Sequence, residues 1–290
     1  MFSNNTSCVV QLNLGDRAKT ENTMSEKFSS CLGKRGQPSL TDELLSRFVT
    51  KNEVHIWCLS LNRCLSSFSY LKSTLSVSEH QRSRRLLHPR DRVAFTTRRG
   101  VLRYILSRYM GLPPQAINIA QSSHGKLYLP APWDRTKLRF NVSHSGDVMV
   151  FAIACDYDIG VDVERIDVSV NVEAAAPLVL QTRDLTLFRG FSIEQKTAIF
   201  FACWTRLEAA VKADGHGLLL ESADIDMPPA MTENESCGIR DCLVSGKRWV
   251  LTDLRVHPDY AAALATDRYP RMIRYIGLEG RDGQGRSARR

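Results

Sequence analysis

One order of predicted elements, a strand followed by a long helix and a hairpin, occurs twice along the chain. In the first half, a strand is predicted at 54–59 and a helix from about 91 to 110, where apolar residues recur at helical spacing. Two apolar runs around a turn at 138–154 predict the hairpin.

The second half repeats this order. A strand is predicted at 159–166, and Ser192 and Gln195 form a capping box that opens a long helix. Paired apolar runs at 249–256 and 260–265 predict the closing hairpin. The repeat predicts an α+β fold, a pseudo-twofold pair of similar α+β halves, with a ligand-binding cleft between them.

The two ends of the chain differ in composition from this folded span. Residues 1–45 are mostly polar, and residues 277–290 are rich in Gly, Arg and Ser. We therefore expect disordered segments at 1–45 and 277–290, an N-terminal half at 46–155, and a C-terminal half with the functional acids at 156–276.

The composition is that of an ordinary soluble protein. Of the 290 residues, 43% are hydrophobic and 24% are charged, and no apolar run reaches the roughly 18 residues that span a bilayer. The eight cysteines show no CxxC spacing, which disfavours a zinc site. We therefore expect a cytoplasmic protein that does not bind membranes.

The positive charge of the chain is concentrated in one stretch. Residues 82–108 contain nine arginines and one acid, Asp91, whereas the other 30 basic residues are balanced by 30 acids. The net charge of +8 is therefore local. A solvated helix face is the ordinary explanation, but so strong a bias favours a localised anionic ligand such as a phosphate.

Asp162 and Glu164 alternate with aliphatic residues on the predicted strand. Because strand side chains alternate between faces, both carboxylates should lie on one face. The face could simply be solvated. Alternatively, the two carboxylates bind a hard cation such as Mg²⁺, which prefers oxygen ligands.

Glu208 and Lys212 lie one helical turn apart on the second long helix. An exposed ion pair is the ordinary interpretation of this spacing. Because neighbouring residues such as Trp204 and Val211 are apolar, a partly buried acid–base or phosphate-binding couple is the alternative.

The segment 141–146, Asn-Val-Ser-His-Ser-Gly, places small hydroxyl groups and an imidazole at a strand end. Such a segment can bind a phosphate, although it is also an ordinary hairpin turn. Ser143 or Ser145 with His144 would suggest a hydrolase, but neither serine lies in a GxSxG motif.

Five blocks in the same order along the chain resemble the Sfp-type 4′-phosphopantetheinyl transferases. They are Arg-Gly-Val-Leu-Arg at 99–103, His-Gly-Lys at 124–126, Phe-Asn-Val-Ser-His-Ser-Gly at 140–146, Gly-Val-Asp-Val-Glu-Arg-Ile at 160–166, and Trp-Thr-Arg-Leu-Glu-Ala-Ala-Val-Lys at 204–212 with Gly-His-Gly at 215–217.

This resemblance implies an enzyme that binds coenzyme A and Mg²⁺ in the cleft. The enzyme would transfer the 4′-phosphopantetheine group to a serine of an apo acyl or peptidyl carrier protein, release 3′,5′-ADP, and serve secondary metabolite biosynthesis. By position, Asp162, Glu164 and Glu208 match the metal-binding acids. Glu208 is our candidate general base, and Lys212 would stabilise the leaving oxygen.

The resemblance also implies a set of coenzyme contacts. By position, these are Lys212, Ser143, His144, Lys126 and Arg99, and more approximately Arg82 and Arg85. The expected protein partner is an acidic carrier. We expect a monomer, because two halves in one chain already supply the cleft.

Two features leave alternatives open. The family usually has lysine before the helix glutamate, where this chain has Leu207, and Arg206 is a possible substitute. A non-catalytic binder of carrier proteins is therefore one alternative. The other is a metal-dependent nuclease or nucleic-acid-binding protein, although such sites often have lysine where this strand ends in Ile166.

Overall fold

The structure is a computed structural model that describes residue 49 and residues 53–215, 225–227 and 239–276. The predicted disordered segments, 1–45 and 277–290, lie outside the described residues.

The first half contains a strand, a series of helices and a hairpin. Its elements are β1 (Glu53–Ser60), α1 (Leu61–Cys64), α2 (Phe68–Ser73), α3 (Val77–Arg85), α4 (Pro89–Met110), β2 (Ala120–Gln121), β3 (Leu127–Tyr128), β4 (Leu138–Ser145) and β5 (Val148–Cys155). The predicted strand, long helix and hairpin correspond to β1, α4 and the β4–β5 pair.

The second half begins directly after this hairpin. Its elements are β6 (Ile159–Arg165), α5 (Val172–Ala175), α6 (Thr182–Arg189), α7 (Ile193–Asp214), β7 (Ile225–Asp226), β8 (Ile239–Val244), β9 (Lys247–Asp253), β10 (Tyr260–Thr266) and β11 (Met272–Ile276). The predicted apolar strand at 249–256 extends too far, because β9 ends at Asp253. The sequence patterns did not reveal β8 or β11.

The strand order in the two sheets confirms the predicted repeat. The first sheet has the order β11-β1-β5-β4 and the second has the order β6-β10-β9-β8-β7. Within them, β1-β5-β4 and β6-β10-β9 have the same order and are both antiparallel. Strand β11 pairs in parallel with β1, so residues 272–276, which the sequence analysis assigned to the C-terminal half, lie in the first sheet.

The two long helices begin and end at residues suited to those positions. Helix α4 has Pro89 at its first position, where a missing N–H costs nothing. Helix α7 has the predicted capping box, in which Ser192 accepts from the Gln195 N–H and Gln195 accepts from the Ser192 N–H. Each helix has 22 residues and ends at a left-handed glycine, Gly111 or Gly215.

The elements form four layers in the order α4, first sheet, second sheet, α7. One apolar cluster lies between α4 and the first sheet, a second between the two sheets, and a third between the second sheet and α7. Ile159, Val161 and Val163 of β6 contribute to the cluster between the sheets. The intervening residues of β6 therefore face α7, and the predicted separation of aliphatic and acidic faces is confirmed.

The two sheets meet where edge strand β4 runs beside edge strand β6. Alternate side chains of β4 accept hydrogen bonds from alternate backbone N–H groups of β6. Asn141 Oδ1 accepts from the Val161 N–H at 2.9 Å, and the corresponding acceptors farther along are Ser143 and Ser145. These bonds satisfy N–H groups that an edge strand would otherwise leave unpaired.

Helix α7 lies unusually close to β6 at Gly160. A Cβ atom at this position would overlap the Ala209 carbonyl oxygen and the Ala213 nitrogen, and would lie 2.9 Å from the Ala213 Cα. Only glycine permits this approach, because both obstructing groups belong to the helix backbone and cannot rotate away. The contact fixes the distance between the acids of β6 and the side chains of α7.

We predict that Gly160→Ala lowers the free energy of unfolding by at least about 2 kcal/mol, because α7 has to move away from β6. The matched control is Gly190→Ala, since a Cβ there would meet only the Leu187 carbonyl oxygen at 3.5 Å. Its effect should stay within about 0.5 kcal/mol. Urea unfolding measures both, and equal stabilities of the two variants would contradict the close packing.

Candidate active site

A cleft of about 500 Å³ lies between the two halves. Its walls come from α4, from β4 and the loop before β3, and from the C-terminal end of α7. Of the residues predicted as functional, those in the described lining are Arg82, Arg99, Lys126, Ser143, His144, Glu208 and Lys212. The predicted cleft is therefore present. Asp162 and Glu164 are not among its described lining residues, but Asp162 bonds to two residues that are, Ser143 and Lys212.

One face of α4 forms the basic wall. Phe95, Arg98, Arg99 and Leu102 line the cleft, and their spacing is that of one helical face. The sequence interpretation missed Arg98, although this spacing would have revealed it. The buried Nε of Arg98 has no hydrogen-bond partner among the described residues, so it remains able to donate to a ligand.

Arg82 completes this wall from α3. Its Nη1 donates to Gln121 Oε1 at 2.8 Å, and its guanidinium lies 5.6 Å from the centre of the Phe95 ring. Both contacts hold the side chain at the rim of the cleft. Arg85, predicted as an approximate coenzyme contact, is exposed and lies outside the described lining of the cleft.

Not every arginine of the basic stretch is available to a ligand. Arg103 is 2% exposed, donates from Nε to Glu79 Oε2 at 2.6 Å, and donates from Nη1 to two backbone carbonyls. Arg99 shares the same carboxylate, with its Nε 3.5 Å from Glu79 Oε1. Glu79 thus neutralises part of the charge and holds Arg99 at the cleft wall.

Lys126 and His144 occupy the floor of the cleft. Lys126 Nζ donates to the Ala213 carbonyl at 2.7 Å, and burial lowers the pKa of this lysine to about 8. His144 is exposed to the cleft, yet desolvation by the surrounding protein lowers its pKa to about 4, with Arg98 and Lys212 contributing. The His144 ring is therefore neutral at pH 7.

Asp162 is the most deeply buried of the three candidate acids, with 1% of its surface exposed. Its Oδ1 accepts from Ser143 Oγ at 2.8 Å and from Lys212 Nζ at 2.5 Å. Its Oδ2 is also buried but has no hydrogen-bond partner within the described chain. Burial rules out the solvated interpretation, and Lys212 pairs with this carboxylate instead of forming a simple surface pair with Glu208.

Glu164 and Glu208 lie near Asp162 and are half-buried. Desolvation raises the pKa of Glu208, and the negative charges of Asp162 and Glu164 raise it further, while Lys212 opposes them. Desolvation likewise raises the pKa of Glu164, with Asp162 contributing. The three carboxylates therefore repel one another, and a cation between them would relieve that repulsion.

These carboxylates suit a magnesium ion better than a metal held entirely by protein. Among the described residues, no three His, Cys, Asp or Glu side chains form a complete metal-binding group. Mg²⁺ needs only one or two carboxylates, because it keeps waters and binds substrate phosphates. The unpartnered Oδ2 of Asp162 is an oxygen of the required kind.

The hydroxyl of Ser143 forms three hydrogen bonds within the protein. It donates to Asp162 Oδ1, and it accepts from Lys212 Nζ at 3.2 Å and from the Val163 N–H at 3.4 Å. A hydroxyl has one donor and two acceptor sites, so this one is fully used within the protein. The contact predicted between Ser143 and the coenzyme stays a prediction.

Arg206 lies next to Leu207, which replaces the usual lysine. The Arg206 guanidinium forms two hydrogen bonds, of 2.7 and 2.6 Å, to the carboxylate of Asp253 on β9. Leu207 packs against the apolar clusters around α7. Arg206, the possible substitute, is already paired with Asp253 and is not among the described lining residues of the cleft.

Comparison with known proteins agrees with this site. The family described as "4'-phosphopantetheinyl transferase, N-terminal" matches residues 62–156, and the "4'-phosphopantetheinyl transferase superfamily" matches residues 158–265. The 4'-phosphopantetheinyl transferase HetI of Nostoc sp. is 34% identical over 215 residues, which are 74% of this chain and 87% of that protein.

More distant relatives carry related names. The 4'-phosphopantetheinyl transferase Sfp of Bacillus subtilis is 29% identical over 153 residues, 51% of this chain and 63% of that protein. An L-aminoadipate-semialdehyde dehydrogenase-phosphopantetheinyl transferase of Xenopus laevis is 26% identical over 165 residues, 53% of this chain and 55% of that protein.

The described helices include none that is both long and apolar enough to span a membrane. The paired α+β halves, the cleft with its basic wall and buried acids, and a relative that matches at 34% identity over most of its length all agree. This chain is an enzyme of the 4'-phosphopantetheinyl transferase superfamily.

Proposed function

We propose that this enzyme transfers 4′-phosphopantetheine from coenzyme A to a serine of an apo acyl or peptidyl carrier protein in a Mg²⁺-dependent reaction. The observation that carries this proposal is the cleft itself, which is lined by three arginines and by the half-buried Glu208, an acid coupled electrostatically to Asp162 and Glu164. Such a cleft accommodates a ligand with several phosphates together with a divalent cation, which coenzyme A and Mg²⁺ provide.

The basic wall is the binding surface for the coenzyme phosphates. Arg82, Arg98 and Arg99 present planar guanidinium groups that donate two hydrogen bonds at once to a phosphate. Lys126 and the neutral ring of His144 add single donors on the cleft floor. Arg85 is exposed and is not among the described lining residues, and its contact with the coenzyme stays a prediction.

Asp162, Glu164 and Glu208 are the candidate acids for Mg²⁺, and one or two of them, together with water and the coenzyme phosphates, would be enough to hold it. When bound, the ion neutralises charge on the diphosphate as the phosphoryl group is transferred. Lys212 already pairs with Asp162 Oδ1, which leaves Oδ2 for the ion. Lys212 thus lies at the border between the acids and the phosphates.

The transfer moves one proton and one phosphoryl group. The carrier serine oxygen forms a bond to the phosphorus that carries the pantetheine arm, and the bond from that phosphorus to the bridging oxygen breaks. The electron pair of this bond leaves with 3′,5′-ADP. Glu208 accepts the serine proton, since its raised pKa makes it a stronger base than an ordinary glutamate, and Lys212 stabilises the leaving oxygen.

The proposal extends to the protein partner, the oligomeric state and the location of the enzyme. The exposed arginines Arg84, Arg85 and Arg90 adjoin the cleft wall in sequence and favour an acidic carrier protein. The chain works as a monomer, since its two halves already form the cleft. It acts in the cytoplasm on carriers of secondary metabolite assembly, without binding nucleic acid.

Incubation with coenzyme A, Mg²⁺ and several apo carrier proteins tests the proposal, with intact mass spectrometry as the measurement. We expect a phosphopantetheine adduct on a carrier serine and a loss of this product when a chelator removes Mg²⁺. A lack of adduct on every carrier, together with cleavage of nucleic acid by the same preparation, would overturn the assignment.

We predict that Glu208→Gln lowers kcat by about 10² to 10⁴, because an amide cannot accept the serine proton. Glu194→Gln makes the same change on the same helix outside the described lining of the cleft and should keep full turnover. Steady-state kinetics with saturating Mg²⁺ measure both. Full turnover in Glu208→Gln would show that another group is the base.

We predict that coenzyme affinity falls as the pH rises above about 8. The pKa of Lys126 in the free protein is about 8, so this lysine loses its proton there, whereas a bound phosphate favours the charged form. Binding at pH 8.5 should therefore take up a proton, measurable by calorimetry in buffers of different ionisation heat. Lys126→Arg keeps its charge and should remove this uptake, so equal uptake in both proteins would exclude Lys126.

A further inference from the structure

Two serines of β4 contact the acids of β6 in the same way, and this pattern is not required by the fold alone. The structure assigns Ser143 and Ser145 the role of positioning residues, which fix Asp162 and Glu164 in the geometry that binds a divalent cation. This inference rests on the proposed function, since it concerns the cation site of the same cleft.

Ser143 links β6 to two charged groups. Its Oγ accepts from the Val163 N–H at 3.4 Å and donates to Asp162 Oδ1 at 2.8 Å. It also accepts from Lys212 Nζ at 3.2 Å. Because the carboxylate is nearly completely buried, this hydroxyl and the lysine determine which oxygen stays unpartnered, and that oxygen is Oδ2.

Ser145 repeats the arrangement two residues farther along. Its Oγ accepts from the Arg165 N–H at 3.0 Å and donates to Glu164 Oε2 at 2.7 Å. Each serine therefore bridges a backbone N–H of β6 and the carboxylate of the residue immediately before that N–H. The backbone bond anchors the hydroxyl, and the hydroxyl in turn orients the carboxylate.

The hydrogen bonds from the two serines oppose the electrostatic repulsion between the two carboxylates. Asp162 and Glu164 lie on the same face of β6, and two neighbouring negative charges on one face repel each other. Without a fixed hydrogen bond, each carboxylate is free to turn away from the other before the cation arrives. Hydrogen bonds that orient metal ligands typically contribute 10- to 100-fold to metal affinity or activity.

Asn141 provides a control that distinguishes the positioning of carboxylates from simple hydrogen bonding between β4 and β6. Asn141 lies two residues before Ser143 on β4, and its Oδ1 accepts from the Val161 N–H at 2.9 Å. This hydrogen bond involves no carboxylate. Loss of the Asn141 side chain therefore breaks a bond between β4 and β6 without releasing an acid. Mn²⁺ affinity is therefore compared at saturating coenzyme A, because Asn141 borders the cleft and its loss could weaken coenzyme binding.

The experiment measures Mn²⁺ binding to the full chain with coenzyme A present, using the electron paramagnetic resonance signal of free Mn²⁺. We expect Ser143→Ala and Ser145→Ala each to weaken Mn²⁺ binding by about 10-fold or more. Ser145→Thr keeps the hydroxyl and should bind within about twofold of wild type. Asn141→Ala should lower the thermal midpoint but keep wild-type Mn²⁺ affinity.

Each contrary result has a distinct meaning. Wild-type Mn²⁺ affinity in both serine-to-alanine variants overturns the positioning role while leaving the transferase proposal intact. An equal loss of affinity in Asn141→Ala also overturns it, because strand linkage alone would then explain the effect. A wild-type protein that binds no Mn²⁺ and transfers no phosphopantetheine overturns both the proposed function and this inference.

Discussion

Helix α7 and strand β6 approach each other so closely at Gly160 that no side chain fits between them. This contact sets the geometry of the site, because β6 carries Asp162 and α7 carries Glu208 and Lys212. The spacing allows Lys212 to pair with a carboxylate that is almost fully buried. A larger residue at 160 would separate the acids from the lysine without altering any of them.

The distribution of charge follows from a few buried partnerships. Glu79 neutralises the charge of Arg103 and part of the charge of Arg99. Asp253 neutralises the charge of Arg206. Arg82, Arg98 and Arg99 remain on the cleft wall, where we propose that they bind the ligand. Opposite them, the acids around Asp162 leave an oxygen without a partner within the described residues, so the cleft suits a polyanion that arrives with a cation.

Much of this arrangement could be predicted from local patterns in the sequence. Alternation around Asp162 gave the acidic face of β6, and the capping box at Ser192 gave the start of α7, because both depend on neighbouring residues. The contacts of Ser143 and Arg206 could not be predicted, since their partners are 19 and 47 residues away. Arg98 was missed for another reason, because the face of α4 that lines the cleft was not identified.

The central claim is that the buried oxygen Asp162 Oδ2 faces a divalent cation while coenzyme A occupies the cleft. A crystal structure of the full chain grown with coenzyme A and Mn²⁺ tests it most directly, through the anomalous scattering of manganese. We predict an anomalous peak within bonding distance of Asp162 Oδ2, with the coenzyme phosphates against Arg98 and Arg99. Coenzyme A bound in the cleft without a peak at Asp162, or bound elsewhere, would contradict the claim.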